Sequence, residues 1–217
     1  MKRRVIIIVL IVGIGLVSVS LVSALVRYRL PGNHQGYRPE QPIAYSHRVH
    51  AGELAIPCLY CHSGAERSRH AGIPPAELCM NCHRYVTAPL GALREEERLA
   101  GEEQREARTL VSPELRKLYD SLGLDEQLVR DPARELQPIE WMRVHKLPDF
   151  ASFDHRPHVA AGVACQRCHG AIESMDRVRQ FADLTMGWCV DCHRESGGTR
   201  LAGKPVDPSL DCVTCHY

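Results

Sequence analysis

The sequence predicts a mainly α-helical protein with much irregular loop, in which one N-terminal apolar helix leads into a domain of small repeated modules. Three observations predict it. Residues 5–26 form an uncharged apolar run. Five copies of the string C-x-x-C-H follow, and they contain all ten cysteines of the 217-residue chain. Aromatic residues are only 6% of the chain and Phe occurs three times, too few for a large side-chain core.

The five strings are Cys58-Leu59-Tyr60-Cys61-His62, Cys79-Met80-Asn81-Cys82-His83, Cys165-Gln166-Arg167-Cys168-His169, Cys189-Val190-Asp191-Cys192-His193 and Cys212-Val213-Thr214-Cys215-His216. C-x-x-C-H is the attachment signature of a c-type haem. Two thiols add across the two vinyl groups of one porphyrin, so both sulfurs must sit on one short turn. The His that follows lies under the ring and reaches the iron as proximal ligand. A lone C-x-x-C also occurs in redox disulfides and zinc sites. Here no Cys is left over, and zinc does not demand His at the fifth position. With 12 His in 217 residues, chance would place His after all five pairs about once in two million. Five covalent haems among about 190 residues after the apolar run make the haem faces the main apolar surfaces on offer. The expected core is therefore a haem stack wrapped by short helices and loops.

The formal net charge is +1, and the propionates of each haem make the loaded protein more acidic. Nothing in the pattern suits a nucleic acid. Haem c is attached outside the bacterial cytoplasmic membrane, so the Cys usage predicts a periplasmic domain in an oxidising compartment.

Residues 1–30 read as a membrane anchor. Lys2, Arg3 and Arg4 precede 22 uncharged residues, which span about 33 Å as a helix, enough for the hydrocarbon core. Gly13 and Gly15 are tolerated in such helices, and the basic cluster predicts a cytoplasmic N-terminus. Arg27, Tyr28 and Arg29 would mark the outer interface. Val22-Ser23-Ala24 would suit signal cleavage, but the run exceeds the roughly 7–15 residues of a signal core. A single uncleaved span of the bacterial cytoplasmic membrane is expected.

Residues 31–43, rich in Pro, Gly and Gln, read as a linker, with His34 a solvated loop residue. Residues 44–83 form a dihaem module and 141–217 a trihaem module. Tyr45-Ser46-His47-Arg48-Val49-His50 precedes the first two attachment sites; Phe153-Asp154-His155-Arg156-Pro157-His158 precedes the third and fourth. Both His recur after 108 residues, and the sites after 107 and 110, which marks an internal duplication. Residues 84–140, with no Cys or His, read as a charged helical insert, serving as solvated spacer or as docking surface for partner subunits. Ser112-Pro113-Glu114 is a good helix start.

A His-x-x-His pair projects from nearly one face of a helical turn, so its two imidazoles can serve two neighbouring haems. His47, His50, His155 and His158 are thus candidate distal ligands. Bis-His ligation leaves no open iron position, which argues for electron transfer without a catalytic site, and for lower potentials than His/Met ligation.

The arrangement resembles the small multihaem cytochromes of the c7 and c3 type. That resemblance implies c7/c3-like haem modules in which His47 pairs with His62, His50 with His83, His155 with His169 and His158 with His193. For the iron on His216, His145 is the first choice of distal ligand. Met186 is the second, because such cytochromes carry a further distal ligand near that place, and His70 is the third. Four phrases carry a closer likeness: Ile56-Pro57-Cys58-Leu59-Tyr60-Cys61-His62, Ser68-Arg69-His70-Ala71-Gly72-Ile73-Pro74-Pro75, Val144-His145-Lys146-Leu147-Pro148-Asp149-Phe150 and Leu184-Thr185-Met186-Gly187-Trp188-Cys189. Over residues 40–217 they resemble the pentahaem cytochrome subunits of bacterial alternative complex III, and their relatives in periplasmic quinone reductase complexes.

The resemblance implies an electron-relay subunit of a quinol:acceptor oxidoreductase. Its partners would be the membrane bilayer, a multispan quinol-binding subunit, an iron–sulfur protein, and a monohaem cytochrome c or other soluble carrier. A membrane-anchored quinol dehydrogenase of the nitrate/nitrite-reductase donor type also has one anchor and several C-x-x-C-H strings. The fifth string, the insert and the two His-x-x-His pairs disfavour it.

Overall fold

The uncharged run does what its composition dictates. Helix α1, Lys2–Arg27, is 26 residues and so about 39 Å long, with no acidic residue in its first turn. Its apolar side chains from Val5 to Val22 are exposed, and a stretch from Arg4 to Ser23 is long and apolar enough to cross a membrane. The computed structural model describes residues 2–27 and 33–216, which fall into two units, Met1–Asn33 and His34–Tyr217. The expected interface residues Tyr28 and Arg29, like 30–32 of the anchor and linker, lie outside the described residues.

The second unit is built of short helices. These are α2 (Cys58–Cys61), α3 (Gly64–Arg67), α4 (Ala76–His83), α5 (Leu90–Glu102), α6 (Pro113–Ser121), α7 (His155–Ala160), α8 (Gln166–His169), α9 (Met186–Ser196) and α10 (Cys212–Cys215). A π-helical turn covers Arg48–Glu53 and a 3-10 turn Ile172–Ser174. Arg200–Leu201 and Lys204–Pro205 pair as a minimal antiparallel hairpin. The starts follow local chemistry. Ser112 Oγ accepts from Leu115 N at 3.3 Å, with Pro113 at the first helical position of α6. Asp154 caps α7 through Arg156 N at 2.9 Å, and Thr185 caps α9 through Trp188 N at 3.3 Å.

The apolar core is small. Among the described residues, Met80, Leu118, Tyr119 and Leu124 form the one buried cluster, and the other buried apolar side chains are Ala65, Ala88, Ala100 and Ala182. The cluster seats α6 on α4. Tyr119, fully buried, donates from its hydroxyl to the His83 carbonyl at 2.6 Å. Glu114 accepts from Ala44 N at 2.6 Å, and Lys117 donates to the Pro42 carbonyl at 3.1 Å. The part of the charged insert around α6 is therefore packed on the second attachment helix, not a solvated spacer.

The two halves of the duplication hold each other reciprocally. His155 N donates to the Arg69 carbonyl at 3.2 Å, and Arg48 N donates to the Met175 carbonyl at 3.0 Å. Arg69 and Asp176 each stand seven residues after the first attachment His of their own half. Arg69 Nε donates to the Phe153 carbonyl at 3.0 Å, while Asp176 accepts from Ser46 Oγ at 2.7 Å and Arg48 Nε at 3.0 Å. The clasp is close enough to require glycine. A Cβ on Gly52 would lie 2.3 Å from the Glu173 carbonyl oxygen, which is backbone and cannot swing aside. Gly52→Ala is expected to lower stability by about 1–3 kcal/mol. The denaturation midpoint of the loaded protein checks this; an unchanged midpoint would mean that the turns do not meet so closely.

Candidate functional site

All five C-x-x-C-H strings lie on helical turns. The first and third sit on the single turns α2 and α8, the latter with Cys165 as its N-cap residue. The second and fourth end the longer helix α4 and run through α9, and the fifth is α10. Thiols three residues apart on such a turn face one way, as attachment to one porphyrin requires.

Each motif His is held through its Nδ1. His62 donates to the Gly72 carbonyl at 2.8 Å, His83 to Val86 at 2.8 Å, His193 to Ser209 at 2.7 Å and His216 to Phe150 at 3.2 Å. Three members of the His-x-x-His pairs do likewise. His50 bonds the Ser46 carbonyl at 2.8 Å, His155 that of Arg69 at 2.9 Å and His158 that of Asp154 at 2.7 Å. Only His47 Nδ1 in these pairs is buried without a partner. This arrangement fixes the tautomer and leaves Nε2 as the free nitrogen, the state a metal ligand needs.

The structure brings these rings together in four facing pairs. His47 and His62 have ring centres 6.4 Å apart with planes 7° from parallel, and His155 and His169 repeat this at 6.4 Å and 7°. His50 faces His83 at 6.0 Å and 56°, and His158 faces His193 at 6.1 Å and 36°. Parallel rings 6.4 Å apart are too distant for face contact, where atoms meet at about 3.5–4 Å. A metal-bound imidazole nitrogen lies about 2 Å from its metal, so two imidazoles on opposite sides of one ion have centres about 6 Å apart. The pairs thus fit axial ligation of an iron. Among the described residues, no three of His, Cys, Asp and Glu converge as a bare metal site would require.

Burial favours the neutral form at three of these rings. It lowers His47 to about 4, with His62 and His50 adding to the shift, and lowers His169 to about 4, with His145 next in effect. Burial also lowers His158. Neutral imidazole is the ligating form.

The thiols show which attachment sites adjoin. Burial raises Cys79, with the Cys61 thiol next, and raises Cys165, with the Cys58 thiol next. Burial pushes Cys168 up to about 11, helped by Cys192 and Cys189, and Cys189 is raised by burial and then by Cys215. The sites therefore adjoin in the order second, first, third, fourth, fifth. An open cleft of about 300 Å³ beside Cys58, lined by Ala55, Ile56, Pro57, Gln166 and Ile172, lies between the first and third.

Other residues fall differently from the sequence-based expectation. His145 is brought to His169, with Nε2 3.1 Å from His169 Nδ1, and not to His216. The ring against His216 is Phe150, at 5.9 Å. Met186 opens α9 and is 68% exposed, and His70 is exposed in the loop after α3. His34 is half-buried and not simply a solvated loop residue: its Nδ1 is buried without a partner and its ring lies edge-on to Tyr37 at 5.2 Å. Residues 34–37 are tied to 180–181 through Gly36 N, Tyr37 O and Gln35 Nε2, which draws His34 partly out of water.

Sequence reasoning missed two aromatics. Tyr45 stands edge-on to His47 at 4.9 Å and stacks on His50 at 4.3 Å; Phe153 stands edge-on to His155 at 4.9 Å and lies tilted against His158 at 4.6 Å. The signal was present, since Tyr45 and Phe153 are also 108 residues apart. The carbonyl partners of the motif His had no signal, because any residue supplies a carbonyl.

Residues 151–217 match the family model of cytochrome c7 and related cytochrome c. This last third of the chain is a c7-like cytochrome domain. It contains α7 to α10, two of the four facing pairs and three attachment sites. A wider likeness extends beyond it. The chain is 28% identical over 188 residues to the menaquinone reductase multiheme cytochrome c subunit of Nitratidesulfovibrio vulgaris (strain Hildenborough), a match covering 82% of this chain and 68% of that one. At 82% of this chain, that match reaches well beyond residues 151–217.

Proposed function

We propose that this chain is the electron-relay subunit of a membrane quinol:acceptor oxidoreductase of the alternative complex III type. It carries five covalent haems and passes electrons towards a periplasmic monohaem cytochrome or other soluble carrier. The observation that carries the reading is the set of four facing imidazole pairs, each combining a motif His with a member of a His-x-x-His pair. Haem supplies one-electron ferric/ferrous chemistry. The chain supplies the rest. Cys58, Cys61, Cys79, Cys82, Cys165, Cys168, Cys189, Cys192, Cys212 and Cys215 hold the porphyrins. The motif imidazoles and their facing partners would hold the irons, leaving those four positions closed to substrate, so we assign no catalytic residue.

Adjacency of the sites in the order second, first, third, fourth, fifth makes one continuous path with two ends. One end is packed under the insert around α6, and the other lies at the C-terminal site. Helix α1 anchors the subunit by a single span, with the N-terminus cytoplasmic and the haem domain periplasmic. The likeness to a menaquinone reductase subunit supports a quinone-linked complex, with a multispan quinol-binding subunit and an iron–sulfur protein as partners.

Pyridine haemochrome and intact mass test the reading. Five covalent haems per chain are expected, with low-spin ferric signals from at least the four paired sites. Three or fewer haems in the native protein, or a stoichiometric high-spin haem at a paired site that binds nitrite or carbon monoxide, would overturn it.

A further inference from the structure

We propose that His145 is a positioning residue for the third attachment site, accepting the Nδ1–H of His169 on its own Nε2 and so setting the basicity and orientation of that proximal ligand. The inference rests on the reading of His169 as an iron ligand.

Five motif imidazoles need an acceptor for Nδ1–H. Four use backbone carbonyls: Gly72, Val86, Ser209 and Phe150. His169 alone uses a side chain, His145 Nε2 at 3.1 Å, with the rings edge-on at 4.4 Å and 81°. The nitrogen used distinguishes His145 from the facing His. Where those make a hydrogen bond they make it through Nδ1, and Nε2 stays free. His145 commits Nε2 itself, so the nitrogen that a distal ligand would offer is already engaged.

His145 is also held in place by its neighbours. Arg143 Nε donates to the His145 carbonyl at 2.9 Å. The next residue, Lys146, donates its N–H to Gln180 Oε1 at 3.1 Å. Gln180 is fully buried; its Nε2 donates to the Ala182 carbonyl at 3.1 Å, and its backbone pairs with Gly36 and Tyr37. A buried amide with every group paired fixes the segment that carries His145.

The chemical consequence follows from acceptor strength. An imidazole nitrogen is a more basic acceptor than a peptide carbonyl, so it draws the Nδ1 proton further from His169. Electron density then rises on His169 Nε2, which favours ferric over ferrous iron there. The duplicated first site has His62 on the Gly72 carbonyl instead. His145 therefore separates two sites that the duplication otherwise makes alike, placing the third at the lower potential.

His145→Phe tests this in the full chain within its complex. The expected result is five haems retained, one redox step moved upward and four unmoved, and altered g-values for one low-spin signal. His145→Gln, which keeps a weaker acceptor, should move the same step in the same direction by less. A titration of either variant that overlays the wild type overturns the inference. So does a new high-spin haem, which would show that His145 is itself an iron ligand. Should His145→Phe not accumulate, His145→Gln carries the test alone. Fewer than five haems in the wild type would instead overturn the underlying reading of His169.

Discussion

Produced without haem attachment, through Cys→Ala at all ten attachment cysteines, the unit His34–Tyr217 is expected to be unfolded. The buried apolar cluster is only Met80, Leu118, Tyr119 and Leu124, and the other buried apolar side chains among the described residues are alanines. Helices of four to thirteen residues add little by themselves, because isolated helices shorter than roughly 12–15 residues are marginal in water. Porphyrin faces and iron–imidazole bonds would supply the missing apolar surface and cross-links, much as zinc does in small metal-dependent domains. Far-UV circular dichroism and protease resistance of the tenfold variant check this. A cooperatively folded apoprotein with the helices of the loaded form would show that the side chains suffice and that the haems are passengers.

His158→Met is expected to keep all five haems and to raise one potential by on the order of 100 mV, within the span of about 0.8 V over which axial ligands set haem potentials. The thioether bonds and motif His are untouched by the change. His158 faces His193 at 6.1 Å, with its Nδ1 on the Asp154 carbonyl and Phe153 at its side, so its Nε2 is presented to the space between the rings. A thioether of similar reach stabilises ferrous iron better than imidazole does. Met suits α7, so the helix should persist. Turnover from quinol to acceptor should slow wherever the altered step becomes uphill. If His158 merely packs beside Phe153, the redox titration of the variant will overlay the wild type. The paired-ligand reading would then have to be withdrawn for both modules, because His50 stands in the same relation to Tyr45 and His83.

Much of the candidate site was legible because its chemistry is local. Attachment thiols must be three residues apart and the proximal His must follow at once, so the strings name their own roles. The His-x-x-His pairs were legible through repetition: two copies at one offset are hard to attribute to chance, and Tyr45 and Phe153 belong to the same repeat. The helix start at Pro113 was written in Ser112, since a cap needs only its own next few residues; the Asp154 cap before His155 carries the same kind of signal and was missed.

The partner of His145 was not legible. The sequence-based expectation gave it to the iron on His216, and the ring it actually meets, that of His169, is decided by how the loop 143–146 docks on buried Gln180. The role of the insert was hidden for the same reason. Tyr119 reaching the His83 carbonyl joins residues 36 apart, and nothing in the local pattern near either of them signals the other. His34 is half-buried because residues 34–37 found 180–181.

The division follows from the range of the forces. By itself the sequence determined where the C-x-x-C-H strings lie, which imidazoles recur, where the helix at Pro113 starts and which run is apolar enough for a bilayer, because each depends on covalent spacing or on neighbours within a turn. Tertiary structure alone decided which site lies beside which, how the two halves clasp through Arg48, Arg69, Gly52 and Asp176, and which acceptor each motif His finds. Those depend on backbone carbonyls, which every residue carries alike, and in the clasp on chain closure far beyond a helical turn, where side-chain identity no longer specifies the partner.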